Sequence, residues 1–240
     1  MSFLLHIETT TALCSVAISN QNEIIACCEI TGQQHSSQLT LLIQEACQKA
    51  NIQLKNLAGI SLSQGPGSYT SLRIGAATAK GICFALNLPL FPIDSLHALA
   101  LAAQKAYIAQ GIDLQDKLIV PMIDARRMDA YYSIYDHNMQ LIKTTACDTF
   151  DAAFLEPFKN KKLIFVGDAA PKFYATDWAK DYLFEIPSLT TQFTAHSAIH
   201  LLPLALEAFE KGSMANIYHF EPFYLKPPAF SQAKNPISFF

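Results

Sequence analysis

The sequence predicts an α/β protein of two lobes, each a mixed sheet flanked by helices. Three observations lead there. Strand-like and helix-like patterns alternate through the first 110 residues in the order β-β-β-α-β-α-β-α. A second group of strand patterns begins near Lys117. The length, 240 residues, suffices for one large domain or two lobes.

Residues 3–7, 13–19 and 23–31 read as successive strands, and Asn20-Gln21-Asn22 is the turn of a hairpin between the last two. Residues 35–50 place Leu39, Leu42, Ile43, Ala46, Cys47 and Ala50 on one helical stripe, with Leu41 alone on the polar side. The apolar run 57–62 reads as a buried strand. Gly65-Pro66-Gly67 then turns the chain into a helix over 70–86, which Ser68 or Thr70 can cap. A short strand at 88–93 and a helix at 95–110 complete this block. In the second block, strands are expected at 118–124, 130–136, 139–146 and 163–167, with a short helix around 171–178 and a long amphipathic helix over 194–211. The expected division is a first lobe of 1–110, joined by the helix near 194–211, a second lobe of 111–193, and an extended tail of 222–240.

The helix over 70–86 is apolar nearly all round. Leu72, Gly75, Ala79, Ile82, Cys83 and Leu86 fall on one face, which should pack on the sheet. The opposite side carries Ile74, Ala77, Gly81, Phe84 and Ala85, with only Arg73 and Lys80 as charges. Glycine inside a helix costs about 1 kcal/mol against alanine, so Gly75 and Gly81 ask for a packing reason. Such a helix is covered on both sides, either by its own chain or by a partner. The partner surface expected on this ground comprises Leu41, Arg73, Ile74, Ala77, Lys80, Gly81 and Phe84. It would form a four-helix contact with the helix 35–50 beside it, and alone it would favour a homodimer.

Composition narrows the function classes. Apolar residues make up 51% and charged residues 15%, well under the roughly 25% charged usual in soluble domains, which leaves apolar surface for a partner. A net charge of −3 with no basic run argues against a large autonomous nucleic-acid footprint. No apolar stretch reaches the length of about 20 residues that a membrane span needs. The N-terminal segment has no basic region or cleavage site, so a cytoplasmic protein is expected. Cys14, Cys27, Cys28, Cys47, Cys83 and Cys147 form no C-x-x-C pair and suit reduced thiols packed as small hydrophobes.

Three motifs together resemble one family: Ile7-Glu8-Thr9-Thr10 with Cys14-Ser15-Val16-Ala17, the run from Gly65 to Gly75, and Ile123-Asp124-Ala125-Arg126-Arg127. Pro222-Phe223-Tyr224-Leu225-Lys226 is similar to that family's C-terminal Pro-x-Tyr-Leu-Arg. The family is TsaB, also called YeaZ, of bacterial threonylcarbamoyladenosine synthesis on tRNA. The resemblance implies an actin-like ATPase (ASKHA) fold of two lobes. It implies a non-catalytic scaffold subunit that pairs with a TsaD-like catalytic paralogue and a TsaE-like ATPase, meeting tRNA only through the complex. The competing class is an enzyme of the same fold, a glycoprotease-like peptidase or a nucleotide hydrolase. Two positions depart from the pattern: Glu8 stands where the family usually has Asp, and Ser71 where it usually has Gly.

The motif residues Glu8, Thr9, Gly65, Gly67, Ser68, Thr70, Asp124, Arg126 and Arg127 are expected to have structural roles. The paralogue's His-x-x-x-His metal pair falls on Ser95 and Leu99, with His97 between them, and leucine cannot bind a metal. The loop Gly65-x-Gly67-x-x-Thr70 lacks the third glycine of a dinucleotide turn and the Gly-Lys-Ser/Thr end of a P-loop. The first turn, Glu8-Thr9-Thr10-Thr11-Ala12, has no glycine to admit a phosphate. No Gly-x-Ser-x-Gly elbow and no His-Glu-x-x-His helix occur. No cofactor, metal or intrinsic hydrolysis is therefore expected. Asp124, at a strand end near Arg126 and Arg127, reads as a structural ion pair.

Overall fold

The computed structural model describes residues 2–32 and 35–226. In the first lobe, β1 (Phe3–Glu8), β2 (Leu13–Asn20) and β3 (Glu23–Thr31) form an antiparallel meander. Helix α1 (His35–Lys49) follows, then β4 (Leu57–Ser63), α2 (Tyr69–Leu86), β5 (Leu90–Ile93) and α3 (Ser95–Ala109). The sheet order is β3-β2-β1-β4-β5, with β4 parallel to both β1 and β5. In the second lobe, β6 (Lys117–Asp124), β7 (Asp129–Tyr135) and β8 (Leu141–Thr149) are again an antiparallel meander. They precede α4 (Ala152–Leu155), β9 (Lys162–Val166), α5 (Ala170–Tyr174) and α6 (Pro187–Gln192), in the order β8-β7-β6-β9. Helix α7 (Leu202–Lys211) returns the chain to the first lobe.

Strand alternation decides which side chains meet which layer. Leu5 and Ile7 of β1 join Leu39, Leu42 and Ile43 of α1 and Ala76, Ala79 and Cys83 of α2 in one core. His6 points the other way, its ring nitrogens 2.7 Å from Ser61 Oγ and 2.9 Å from Ser19 Oγ. Phe91, Ile93 and Ala98 meet Leu201 and Ala205 on the sheet's far side. Helix α3 reaches across, because its Leu99, Ala100, Ala103 and Tyr107 pack on Ile119, Tyr135, Ile164 and Val166 of the second sheet. The opposite face of that sheet is aromatic, with Phe150 between Phe165, Phe173 and Tyr132.

Some elements differ from expectation. The long helix over 194–211 is instead a 3-10 turn, Ala198–Leu201, running into α7. Ser197 opens the turn by accepting from the Ile199 N–H at 3.4 Å, and Pro203 sits in the first turn of α7, where a missing N–H is harmless. The expected helix over 171–178 splits into α5 and a 3-10 turn, Asp177–Ala179. The strand expected at 139–146 continues to Thr149 because Asp129 pairs with it. Helix α6 was not anticipated; six residues are too few to show a period. The tail expected over 222–240 lies outside the described residues beyond Lys226.

Candidate functional site

The Gly65-Pro66-Gly67 turn carries the chain from the end of β4 to α2 and rests on the first hairpin. A Cβ on Gly67 would lie 2.5 Å from the Thr10 carbonyl oxygen, and the Ser68 N–H donates to that oxygen at 2.8 Å. Gly75 is bare because Thr9 Oγ1 occupies the place of its side chain. Ser68 is the N-cap residue, yet its hydroxyl caps nothing and instead accepts from Ser71 Oγ at 3.0 Å. The cap expected of Ser68 or Thr70 is therefore absent. Thr70 is exposed on the first turn of α2.

Glu8 is buried at the end of β1. One of its oxygens accepts from the Thr10 N–H at 2.6 Å and from the Thr10 hydroxyl at 2.5 Å. Burial nevertheless dominates and raises its pKa to about 7. A carboxyl whose folded pKa exceeds its unfolded value contributes stability that is full below the unfolded value and lost as pH rises through the folded one. Between about pH 4.5 and 7 the native state thus holds a proton that the unfolded chain has released. Glu8→Gln keeps the acceptor and removes the ionisation, so at pH 8 it should stabilise the fold by about 2 kcal/mol. The check is urea unfolding of both proteins at pH 5 and pH 8; a gain no larger at pH 8 than at pH 5 refutes it.

Between the lobes lies a cleft of about 760 Å³, lined on one side by Thr10, Gly67 and Ser68 and on the other by Asp124, Arg126 and Asp168. Asp168 accepts from the Asp124 N–H at 2.9 Å, and burial raises its pKa to about 6. The ion pair expected between Asp124 and the arginines is not formed. Asp124 pairs with Lys172 at 2.8 Å, and Lys172 also donates to the Arg127 and Asp129 carbonyls. The side chains of Arg126 and Arg127 are not that partner, because both residues adopt positive φ, +74° and +49°, in an exposed turn. With Asp124 47% and Lys172 23% exposed, the pair is worth about 0–1 kcal/mol, not the larger loss expected of a buried pair.

The metal positions of the paralogue hold ordinary structural groups. Ser95 Oγ accepts from the Gly65 N–H at 3.3 Å, and Leu99 is buried in the core. The His97 N–H is capped by Asp94 at 2.8 Å, while the His97 ring stacks on Tyr135. Among the described residues no group of three His, Cys, Asp or Glu side chains is placed to hold a metal ion.

Helix α2 buries Leu72, Gly75, Ala76, Ala79 and Cys83 on the sheet. Its other side is open: Arg73, Ala77, Gly81 and Ala85 are exposed, Ile74 is half-buried, and Phe84 is 68% exposed. Leu41 on α1 is 54% exposed. Among the described residues burial on both sides is therefore not met; they cover only one flank of α2. There Lys80 Nζ donates to the Phe220 carbonyl at 3.1 Å, and Phe84 lies edge-on to Tyr218. Lys80 thus already serves the chain's own C-terminal segment. A Cβ on Gly81 would meet nothing within 4 Å. Asp168 went unnoticed in the sequence because no motif surrounds it; its one signal is its place after the Gly that ends a strand.

The chain matches the family model "TsaD: tRNA N6-adenosine threonylcarbamoyltransferase" over residues 18–231. It is 26% identical over 236 residues to the tRNA threonylcarbamoyladenosine biosynthesis protein TsaB of Haemophilus influenzae, covering 93% of each chain. It is 29% identical over 127 residues to the tRNA N6-adenosine threonylcarbamoyltransferase of Ligilactobacillus salivarius, covering 52% of this chain and 35% of that one. Among solved structures it resembles YeaZ from Pseudomonas aeruginosa, with a TM-score of 0.69 and 24% identity over 94% of this chain and 100% of the other. A chain of the PilM-PilN type IV pilus biogenesis complex follows at a TM-score of 0.50 and 8% identity, over 85% of this chain and 98% of the other. The fold is that of the actin-like ATPases, two lobes about a cleft.

Proposed function

The chain belongs to the TsaB (YeaZ) family, and from that premise we propose that it is the non-catalytic partner subunit of a TsaD-like catalytic paralogue. Its role lies in tRNA threonylcarbamoyladenosine biosynthesis. The paralogue docks on the outer face of α2 together with Leu41 of α1, and a TsaE-like ATPase joins the pair. tRNA meets the complex rather than this chain alone, and the work is done in the cytoplasm. When the paralogue is absent, a second copy takes the same face by isologous pairing.

The observation that carries this reading is the outer face of α2. Small side chains at Ala77, Gly81 and Ala85 lie exposed beside Ile74 and Phe84, an arrangement that admits another helix backbone closely and offers an aromatic anchor. Among the described residues nothing explains Gly81, since open space surrounds the missing Cβ. Mixing the chain with its TsaD-like paralogue and weighing the product by light scattering tests the proposal. A heteromer that replaces self-association is expected, and two separate species at micromolar concentration would end it. The paralogue should form the modified nucleoside only when this chain is added.

Gly81→Ala separates the two uses of the helix. Among the described residues the methyl meets nothing, so in the isolated chain the substitution should stabilise by about 0.5–1 kcal/mol and raise Tm by about 1–4 °C. In the complex the same methyl stands where a backbone approaches, and affinity should fall. A melting curve and a titration on one variant settle both; tighter binding would contradict the docking assignment.

A further inference from the structure

The C-terminal segment after α7 runs back along the first lobe, fixed at successive points. The Ala215 N–H donates to the Leu90 carbonyl at 2.8 Å, the Phe220 carbonyl accepts from Lys80 at 3.1 Å, and the Phe223 N–H donates to the Gln64 carbonyl at 2.7 Å. Gly65 makes the last of these possible, because the Phe223 carbonyl oxygen lies 2.7 Å from where its Cβ would be. The Tyr224 ring rests on Tyr69, the first residue of α2, with centroids 4.7 Å apart. Beyond Tyr224 the segment leaves this lobe. Lys226 Nζ lies 3.1 Å from Asp129 Oδ2 and 6.0 Å from the centre of the Tyr131 ring, both on β7 of the second lobe. Tyr224, Leu225 and Lys226 line the cleft they cross.

The two ends of this segment are fastened unequally. On the first lobe the hold is two backbone hydrogen bonds, the Lys80 bond to the Phe220 carbonyl and ring packing, spread over residues 215–224. On the second it is an ion pair whose side chains are 45% and 33% exposed, a kind of contact that water and salt weaken readily. We infer that residues 215–226 are an interlobe latch, fixed to the first lobe and releasable at Lys226–Asp129, which holds the cleft closed. The segment also borders α2 at Lys80, Phe84 and Tyr69, so whatever binds the outer face of that helix lies against the latch. The latch itself is a property of the isolated chain and stands or falls apart from the docking reading.

Hydrogen exchange of the isolated full-length chain tests it, read in three segments that touch the cleft: 10–12 and 67–71 on the first lobe, and 124–131 on the second. Lys226→Glu turns attraction to Asp129 into repulsion and should speed exchange in all three by about 2–5-fold. In the unaltered chain, raising salt should move the same segments in the same direction. The exchanged pair Lys226→Glu with Asp129→Lys should restore slow exchange, which a merely local disturbance of either residue cannot do. If Lys226→Glu fails to fold, Lys226→Met removes the attraction without the repulsion and should give the smaller part of the same rise. Faster exchange confined to residues 222–226, or no recovery in the exchanged pair, overturns the latch.

Discussion

Ala77→Arg is expected to leave the isolated chain folded and to abolish its assembly with the catalytic paralogue. Ala77 is exposed on the outer face of α2, between Ile74 and Gly81, so in the single chain the new side chain extends into water. Arginine is also among the better helix formers, and the substitution should change stability by less than about 0.5 kcal/mol. In a dry helix–helix contact the same guanidinium is both bulk and an unpaired charge. An uncompensated buried charge costs several kcal/mol, so affinity should fall by about 100-fold or more. The same lesion should remove self-association. Light scattering of the variant alone, calorimetric titration with the paralogue and one melting curve decide the matter. An unchanged complex sets the interface elsewhere, and a collapsed melting temperature means that α2 tolerates nothing on that face.

Gly67→Ala should act on the fold itself. Its φ of +158° lies where side chains are rarely tolerated, and the added Cβ would press on the Thr10 carbonyl, backbone that cannot swing aside. That carbonyl also accepts the Ser68 N–H, so relieving the clash lifts the start of α2 from the first hairpin. Strain and overpacking together should cost about 3–5 kcal/mol. For a chain of this size Tm should drop by roughly 6–15 °C. Thermal unfolding followed by circular dichroism is sufficient, and a drop below about 2 °C would show that the junction yields without loss. Gly81→Ala makes the same chemical change near the other end of α2 with the opposite sign, because there no described residue comes within 4 Å of the new methyl.

These contrasts mark what could be read from the sequence. Periodicity is a local property, so the three opening strands, the stripe of α1 and most of the inner face of α2 are legible, although Leu86, expected on that face, is exposed at the end of the helix. The open outer face was legible as a pattern, but whether the chain covers it depends on where residues 215–226 run. Lys80 shows the limit: its charge placed it with the partner surface, while its partner is a carbonyl 140 residues away in the chain. Asp124 shows it again, since the two arginines beside it in sequence turn away and Lys172 arrives from α5. The cleft was the least legible part. Its carboxyl groups, Asp124 and Asp168, lie 44 residues apart in the chain, and the burial that raises the pKa of Asp168 leaves no local signature in the sequence.

His6 has a consequence for how the first sheet assembles. Its imidazole bonds to Ser61, its direct register partner on β4, and to Ser19 on β2. A slip of β1 by one residue would turn the ring into the apolar cluster beneath α1 and α2 and leave two buried hydroxyls without it. Each polar group orphaned by burial costs about 1–3 kcal/mol, so misaligned strands are penalised as the rest of the lobe closes over them and shuts out water. Burial lowers the pKa of His6 to about 3, and the neutral ring can donate through one nitrogen and accept through the other. One side chain thereby checks the alignment of three strands at once, and it does so unaltered across the whole neutral range.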